Sequence, residues 1–186
     1  MMLSGGQWVS HFPNSANMAD LAEPFRTNAR RFVGALRQAQ ATVAIAATLR
    51  PPERAYLMHF AFLIARAGID PSTVPPRAGV DIQWVHRTAQ GVPDLAASRA
   101  AAEQMVQGYG VVVEPVLDSQ HIRGKAIDMT IRWQNNLVIA KADGTSTTIT
   151  SVPRTGEGNV DLRQVGASFG VIKLVSDPPH WSLNGH

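Results

Sequence analysis

Two short stretches of this 186-residue chain carry side chains that could do chemistry together: Ser119-Gln120-His121-Ile122-Arg123-Gly124-Lys125-Ala126-Ile127-Asp128 and Asp177-Pro178-Pro179-His180-Trp181. In the first, Gly124 lets the backbone turn without a Cβ penalty. An imidazole leaving a strand or loop at His121 can therefore meet a carboxylate at Asp128 on the returning strand. His180, expected just after the last strand and held by two prolines, can complete the set. Two histidines and one aspartate would then surround a divalent ion, with one coordination position left for water. Three protein ligands plus water is the catalytic zinc pattern, whereas structural zinc sites are closed by four ligands. The chain has no cysteine, so a disulfide framework, a thiolate site and a cysteine nucleophile are all excluded.

Each of these residues also has an ordinary reading. A histidine beside a strand is commonly a hydrogen-bonded structural residue, and an aspartate before a strand is commonly a turn former. What sets His121, Asp128 and His180 apart is their spacing and company. The other histidines take the ordinary reading: His59 as a satisfied core residue, His11 and His86 as loop or surface residues, His186 at the chain end. His86, in Trp84-Val85-His86, is the one of these that could line a cleft. Trp181 is expected to pack under the site.

The elements that must position these groups follow from periodicity. Residues 20–40 place Leu21, Phe25, Phe32, Val33 and Leu36 at helical spacing with arginines elsewhere, which predicts an amphipathic helix. Residues 42–49 read as a strand, and Pro51-Pro52-Glu53 opens a second, core helix that runs to about residue 67 and ends at Gly68. A Pro- and Gly-rich loop spans 70–80, a short extended piece 81–86, and a helix 94–107 with Gly108 past its end. Residues 111–116 predict a strand; 126–133, 136–140 and 146–150 predict a β-meander turning at Gln134-Asn135 and Asp143-Gly144. Asn159 can cap a helix to about residue 169, and Gly170 leads into a strand over 171–175. Separate helices with antiparallel strands make the class α+β.

Composition narrows the function. With 45% hydrophobic and 17% charged residues the chain suits one compact domain over 1–186, with 1–20 as a lead segment. No apolar run approaches the about 18–20 residues that cross a bilayer, so no membrane insertion is expected. The start lacks a secretory pattern, which predicts synthesis in a cytoplasm without a signal peptide. The net charge of +3 is spread along the chain, with Arg30-Arg31 as the adjacent basic pair. No basic patch is interleaved with aromatics, so no nucleic-acid partner is expected.

The pattern S-x-H-x-x-G-x-A-x-D, carried by Ser119, His121, Gly124, Ala126 and Asp128, followed by D-x-P-H-W at the chain end, resembles the zinc peptidases that cleave bacterial cell-wall peptides. That family includes D-alanyl-D-alanine carboxypeptidases, D,D-dipeptidases of vancomycin resistance, and the L-alanyl-D-glutamate endopeptidases of phage endolysins. Thr48-Leu49-Arg50-Pro51-Pro52-Glu53-Arg54 is similar to the family's strand-to-helix segment, so the resemblance covers roughly residues 43–181. It implies the fold shared with the Hedgehog signalling domain, a central antiparallel sheet with helices packed on it. It also implies Zn2+ held by His121, Asp128 and His180, Asp177 as general base, Arg50 near the substrate carbonyl, and Ser119 at a substrate-binding position.

The function the resemblance implies is that of an endolysin-like metallopeptidase, a monomer acting on peptidoglycan stem peptides at the cell wall after release. The D-x-P-H form points toward the endopeptidase branch. Against this, residues 169–177 lack the Trp-Gly-Gly-like insertion of the L-alanyl-D-glutamate enzymes, so the L-Ala-D-Glu and D,D bonds both stay open. The alternatives are an intracellular D,D-dipeptidase or carboxypeptidase, and a non-catalytic zinc-binding interaction domain of the same fold.

Overall fold

A computed structural model describes residues 1–186 as an α+β protein. In chain order its strands are β1 (Met2–Leu3), β2 (Thr42–Ala47), β3 (Ile82–Gln83), β4 (Ala126–Arg132), β5 (Leu137–Ala140), β6 (Ser146–Ile149), β7 (Ile172–Lys173) and β8 (His180–Ser182). The helices are α1 (Phe25–Gln38), α2 (Pro52–Phe62), α3 (Leu95–Tyr109) and α4 (Val160–Ser168). No helix is long and apolar enough to cross a membrane. The chain divides into two compact units, one made of Met1–Pro13 and Pro51–Asp118, the other of Asn14–Arg50 and Ser119–His186.

The second unit carries a four-stranded antiparallel sheet in the order β2-β4-β8-β7 and a separate β5-β6 hairpin. Helix α1 forms where the apolar stripe predicts it, burying Phe25, Ala29, Phe32, Val33 and Leu36 and leaving Arg30, Arg31 and Arg37 exposed. Phe25, Phe32, Val33 and Leu36 each contribute about 1.5–3 kcal/mol by leaving water. They share a core with Ile127, Met129 and Ile131 from β4, Leu162 and Val165 from α4, and Trp181 from β8. Asn159 caps α4 as expected: its Oδ1 accepts from Leu162 N at 2.9 Å, while its Nδ2 donates to the carbonyls of Ser151 and Pro153.

The expected β-meander is corrected. Strand β4 has β2 on one edge and β8 on the other, so it has no edge left for β5. The β5-β6 hairpin instead closes on itself through Asp143-Gly144, with Gly144 at φ 86°, and buries Leu137, Ile139 and Ile149 in the same core. His180 is also shifted from its expected place, since it opens the last strand rather than following it.

The first unit has its own core of Trp8, Tyr56, Leu57, Phe60, Ile64, Ile82, Trp84, Met105 and Val106. Residues 1–13 belong to it, with β1 paired in parallel to β3 and Trp8 buried. Helix α2 opens at Pro52, continues through a π turn over Leu63–Ala67, and stops at Gly68 with φ 75°. Helix α3 runs past Gly108 and ends at Gly110, φ 66°. Gly108 serves packing instead of termination, because a Cβ there would stand 2.5 Å from Val9 Cγ2. The strand expected over 111–116 does not form. Val112 is 88% and Val113 72% exposed, and strand propensity without a partner edge yields no strand.

Candidate metal centre

The second unit builds its site from three strands and one turn. In the antiparallel register Asp128 of β4 lies directly opposite His180 of β8. Directly opposed residues project from the same face with Cβ atoms about 4.5–5.5 Å apart, so cross-strand pairing alone brings this carboxylate and imidazole together. His121 arrives from the turn before β4. Gly124 holds that turn at φ 66°, and a Cβ there would meet Ala22 N at 3.0 Å. The glycine is therefore required twice, for its left-handed backbone and for the close approach of the 20–22 segment, whose Ala22 N–H donates to Gly124 O at 2.8 Å.

Strand β2 supplies the third wall. Its pairing with β4 slips between Ile45 and Ala47, so Ala46 is an extra residue and Ala47 falls opposite Asp128. A bulge of this kind re-aims the chain that follows it. The residues just after β2 bracket the first histidine: Thr48 O lies 2.9 Å from His121 Nδ1, and Arg50 N–H donates to His121 O at 3.2 Å. Thr48 is fully buried and anchored in turn, its Oγ1 donating to the carbonyls of Ser15 and Asn17.

The three side-chain atoms converge. His121 Nε2 is 3.0 Å from Asp128 Oδ1, His121 Nε2 is 3.1 Å from His180 Nδ1, and His180 Nδ1 is 3.1 Å from Asp128 Oδ1. Both imidazoles are only 6% exposed. The outer ring nitrogens identify the tautomers. A carbonyl can only accept, so His121 Nδ1 carries a hydrogen toward Thr48 O, and His180 Nε2 carries one toward His186 O at 3.2 Å. In the neutral rings the lone pairs are thus on His121 Nε2 and His180 Nδ1, both aimed at the carboxylate oxygen. Such a triangle of acceptors is repulsive unless a proton on one of the inner ring nitrogens or a metal cation sits among them.

Burial works against the charge of Asp128, but hydrogen bonds from the imidazoles, made when a ring carries a hydrogen on the nitrogen facing it, outweigh that and hold its carboxyl well below the ordinary carboxylate range. The carboxylate is therefore present at neutral pH. Nitrogen and oxygen ligands at about 2.0–2.1 Å from a tetrahedral ion are separated by about 3.3 Å, and the observed edges lie within about 0.3 Å of that value. His121, Asp128 and His180 accordingly form a group that could hold a metal ion. Their donor set of two imidazoles and a carboxylate suits a divalent transition-metal ion. Carbonyls on the far ring nitrogens are the outer partners that fix ligand orientation in metal sites.

The other residues singled out by the sequence fall around this group. Asp177 is exposed in the turn between β7 and β8 and stands outside the convergent triangle; its backbone carbonyl accepts from His180 N at 3.1 Å. Arg50 is half-buried, with its backbone tied to His121. Ser119 shapes the turn: its Oγ accepts from Ile122 N at 3.4 Å and its carbonyl from Arg123 N at 3.1 Å. Trp181 is fully buried in the core, its ring 5.4 Å from that of Phe32. In the first unit, His59 Nδ1 meets Pro115 O at 2.7 Å and His86 Nε2 meets Ser4 Oγ at 3.0 Å, so both are satisfied structurally.

Three contributors are not among the residues whose side chains the sequence marks for chemistry. Thr48 and His186 act through backbone oxygens, for which no side-chain signal exists. Lys173 does have one, as a lysine within the otherwise apolar Val171-Ile172-Lys173-Leu174-Val175. It is 6% exposed and its Nζ donates to the carbonyls of Leu174, Asp177 and His180. Burial pushes its ammonium below the ordinary lysine value, and the nearby Asp177 carboxylate pulls it partly back.

No protein-family model matches the sequence, and no curated protein and no solved structure matches it either.

Proposed function

We propose that the chain is a zinc metallopeptidase that hydrolyses peptide bonds in peptidoglycan stem peptides. The observation that carries this reading is the buried triangle of His121 Nε2, Asp128 Oδ1 and His180 Nδ1, formed by residues spaced as in the cell-wall zinc peptidases. The antiparallel sheet that brings the three together supports the Hedgehog/D,D-peptidase fold as the finer description of the α+β class. Bound there, zinc would supply Lewis acidity, activating water near neutral pH and polarising a carbonyl.

The chain's own residues supply the rest. Asp177 sits three positions before His180 in an exposed turn, where its carboxylate can take a proton from the attacking water and pass it to the leaving amine. Arg50 is tethered next to His121 through its backbone. Its planar, permanently charged guanidinium suits an oxyanion or a substrate carboxylate. Ser119, at the mouth of the His121 turn, offers a hydroxyl to a substrate peptide once the turn is formed. The reading includes action at the cell wall, as a monomer and without nucleic acid.

Incubation of the zinc-loaded protein with defined muropeptides, followed by mass spectrometry, tests the proposal and identifies the bond. Products split at L-Ala-D-Glu or at a D,D bond mark an endopeptidase, and release of D-alanine or cleavage of a free D,D-dipeptide marks the carboxypeptidase or dipeptidase alternative. Stoichiometric zinc with every muropeptide intact would refute peptidase function and leave a zinc-binding interaction domain.

A further inference from the structure

A lysine with 6% exposure needs an account, because lysine is among the side chains least often buried without partners. Lys173, at the end of β7 and opposite Trp181 of β8, sends its ammonium into the loop that follows it. The three N–H groups of the ammonium meet three carbonyls: Leu174 O, Asp177 O at 2.5 Å and His180 O at 3.1 Å. The Trp181 ring centroid lies 5.8 Å from the same nitrogen, within cation–π range.

The three carbonyls are also joined to one another. Leu174 N–H donates to His180 O at 3.1 Å, His180 N–H to Asp177 O at 3.1 Å, and Asp177 N–H to Leu174 O at 3.3 Å. The backbone thus closes a ring through residues 174, 177 and 180. A carbonyl oxygen has two lone pairs. In this ring each oxygen accepts once from a backbone N–H and once from the ammonium, so every acceptor site is filled. It is a carbonyl cage of the kind a small monovalent cation would occupy, and the chain provides the cation itself. A guanidinium could not replace it, because its donors lie in one plane.

We propose that Lys173 is a positioning residue: its ammonium fixes the 174–180 loop and thereby holds the His180 ring in the triangle and Asp177 beside it. The consequence for Asp177 rests on the peptidase reading, and the consequence for His180 does not. Without the ammonium each of the three carbonyls loses one partner in a partly buried place, and the ring can be held only by its own three backbone bonds.

Lys173→Met keeps the length of the side chain and removes all three donors. In the metal-free variant, amide hydrogen exchange at Leu174, Asp177 and His180 should quicken about tenfold or more, while amides of β2 and β4 keep their protection. Zinc affinity, measured by competition with a chromophoric chelator, should fall by about 10- to 100-fold, the range for losing an outer support of a ligand. In the unaltered protein the Lys173 ammonium should give a slowly exchanging proton–nitrogen resonance with through-bond coupling to the three carbonyls. That spectrum decides the matter even if Lys173→Met does not fold. Wild-type exchange and zinc affinity in Lys173→Met, or no persistent ammonium resonance, would overturn the proposal. None of these readouts requires peptidase activity, so intact muropeptides would remove the peptidase reading and leave the positioning role standing.

Discussion

Asp128→Asn tests the central geometry because it removes one charge and almost no volume. In the unaltered protein the carboxylate lies 3.0 Å from His121 Nε2 and 3.1 Å from His180 Nδ1, so an ion bound by all three stabilises the folded state alone. A ligand specific for the folded state at about 1,000 times its dissociation constant stabilises by about 4.1 kcal/mol. In chains of about 150–250 residues each kcal/mol moves Tm by about 2–4 °C, so saturating zinc should raise Tm by about 8–16 °C over a chelator-treated sample. Losing an outer support of a ligand already costs about 10- to 100-fold in affinity, so losing the anionic ligand should cost at least about 100-fold. At the same free zinc the ratio then drops to about 10, the stabilisation to about 1.4 kcal/mol, and the Tm shift to about 3–6 °C or less. The metal-free variant should melt no higher than metal-free wild type, because a carboxyl held below its ordinary range by the two imidazoles stabilises the fold at neutral pH and the asparagine amide lacks that charge. Scanning calorimetry with zinc and with chelator measures all four states. A Tm indifferent to zinc in the unaltered protein, or a zinc shift preserved in Asp128→Asn, would refute the reasoning.

Asp177→Asn should lower muropeptide turnover by about 100-fold or more with zinc still bound, since it keeps size and hydrogen bonding but loses the basic oxygen; loss of the metal along with the charge would make Asp177 a ligand instead. Arg50→Lys should reduce kcat/KM by about tenfold or more while zinc content and Tm hold, because a point charge cannot copy the planar donors; unchanged kcat/KM would remove Arg50 from the reaction. Gly124→Ala should destabilise the second unit and weaken zinc binding together, as the new Cβ would stand 3.0 Å from Ala22 N in a left-handed backbone; chemical denaturation that leaves both unchanged counts against it. In the first unit, burial pushes the Tyr109 hydroxyl up to about 12 against a pull from the Arg54 cation. The folded state favours the neutral phenol, so its contribution is complete below about pH 10 and disappears as pH rises toward 12. Tyr109→Phe should flatten that alkaline decline in denaturant titrations; an unaltered slope would exclude Tyr109 as its source.

How far the fold could be read in the sequence depends on whether the deciding contacts are local. Helix α1 is legible because Phe25, Phe32, Val33 and Leu36 repeat with the helix period, and the hairpin turn at Asp143-Gly144 is legible because a left-handed φ favours glycine. The strand expected over 111–116 fails on a nonlocal fact: β-branched residues form a strand only where an edge is free to receive them, and Val112 and Val113 find none. The β-meander fails for the complementary reason, since β4 spends both edges on β2 and β8, which lie far from it in sequence. Gly108 and Gly110 illustrate the same divide. Both look like helix stops, and only the approach of Val9 tells which one is there for packing.

The candidate site divides along another line, between what side chains announce and what backbone atoms do silently. His121, Asp128 and His180 are legible because a metal requires particular side chains, and the requirement leaves residue types at fixed spacings. The atoms that aim them are carbonyl oxygens of Thr48 and His186, and any residue offers a carbonyl. Their selection lies in where the chain runs, through the extra residue Ala46 in β2 and the cross-strand register of β4 with β8. Lys173 stands between the two cases. Its type is visible in an apolar run, but its meaning depends on a ring of three carbonyls closed by backbone bonds, which exists only once the strands have paired. A motif therefore names the ligands of such a centre and leaves out the support that makes their lone pairs converge.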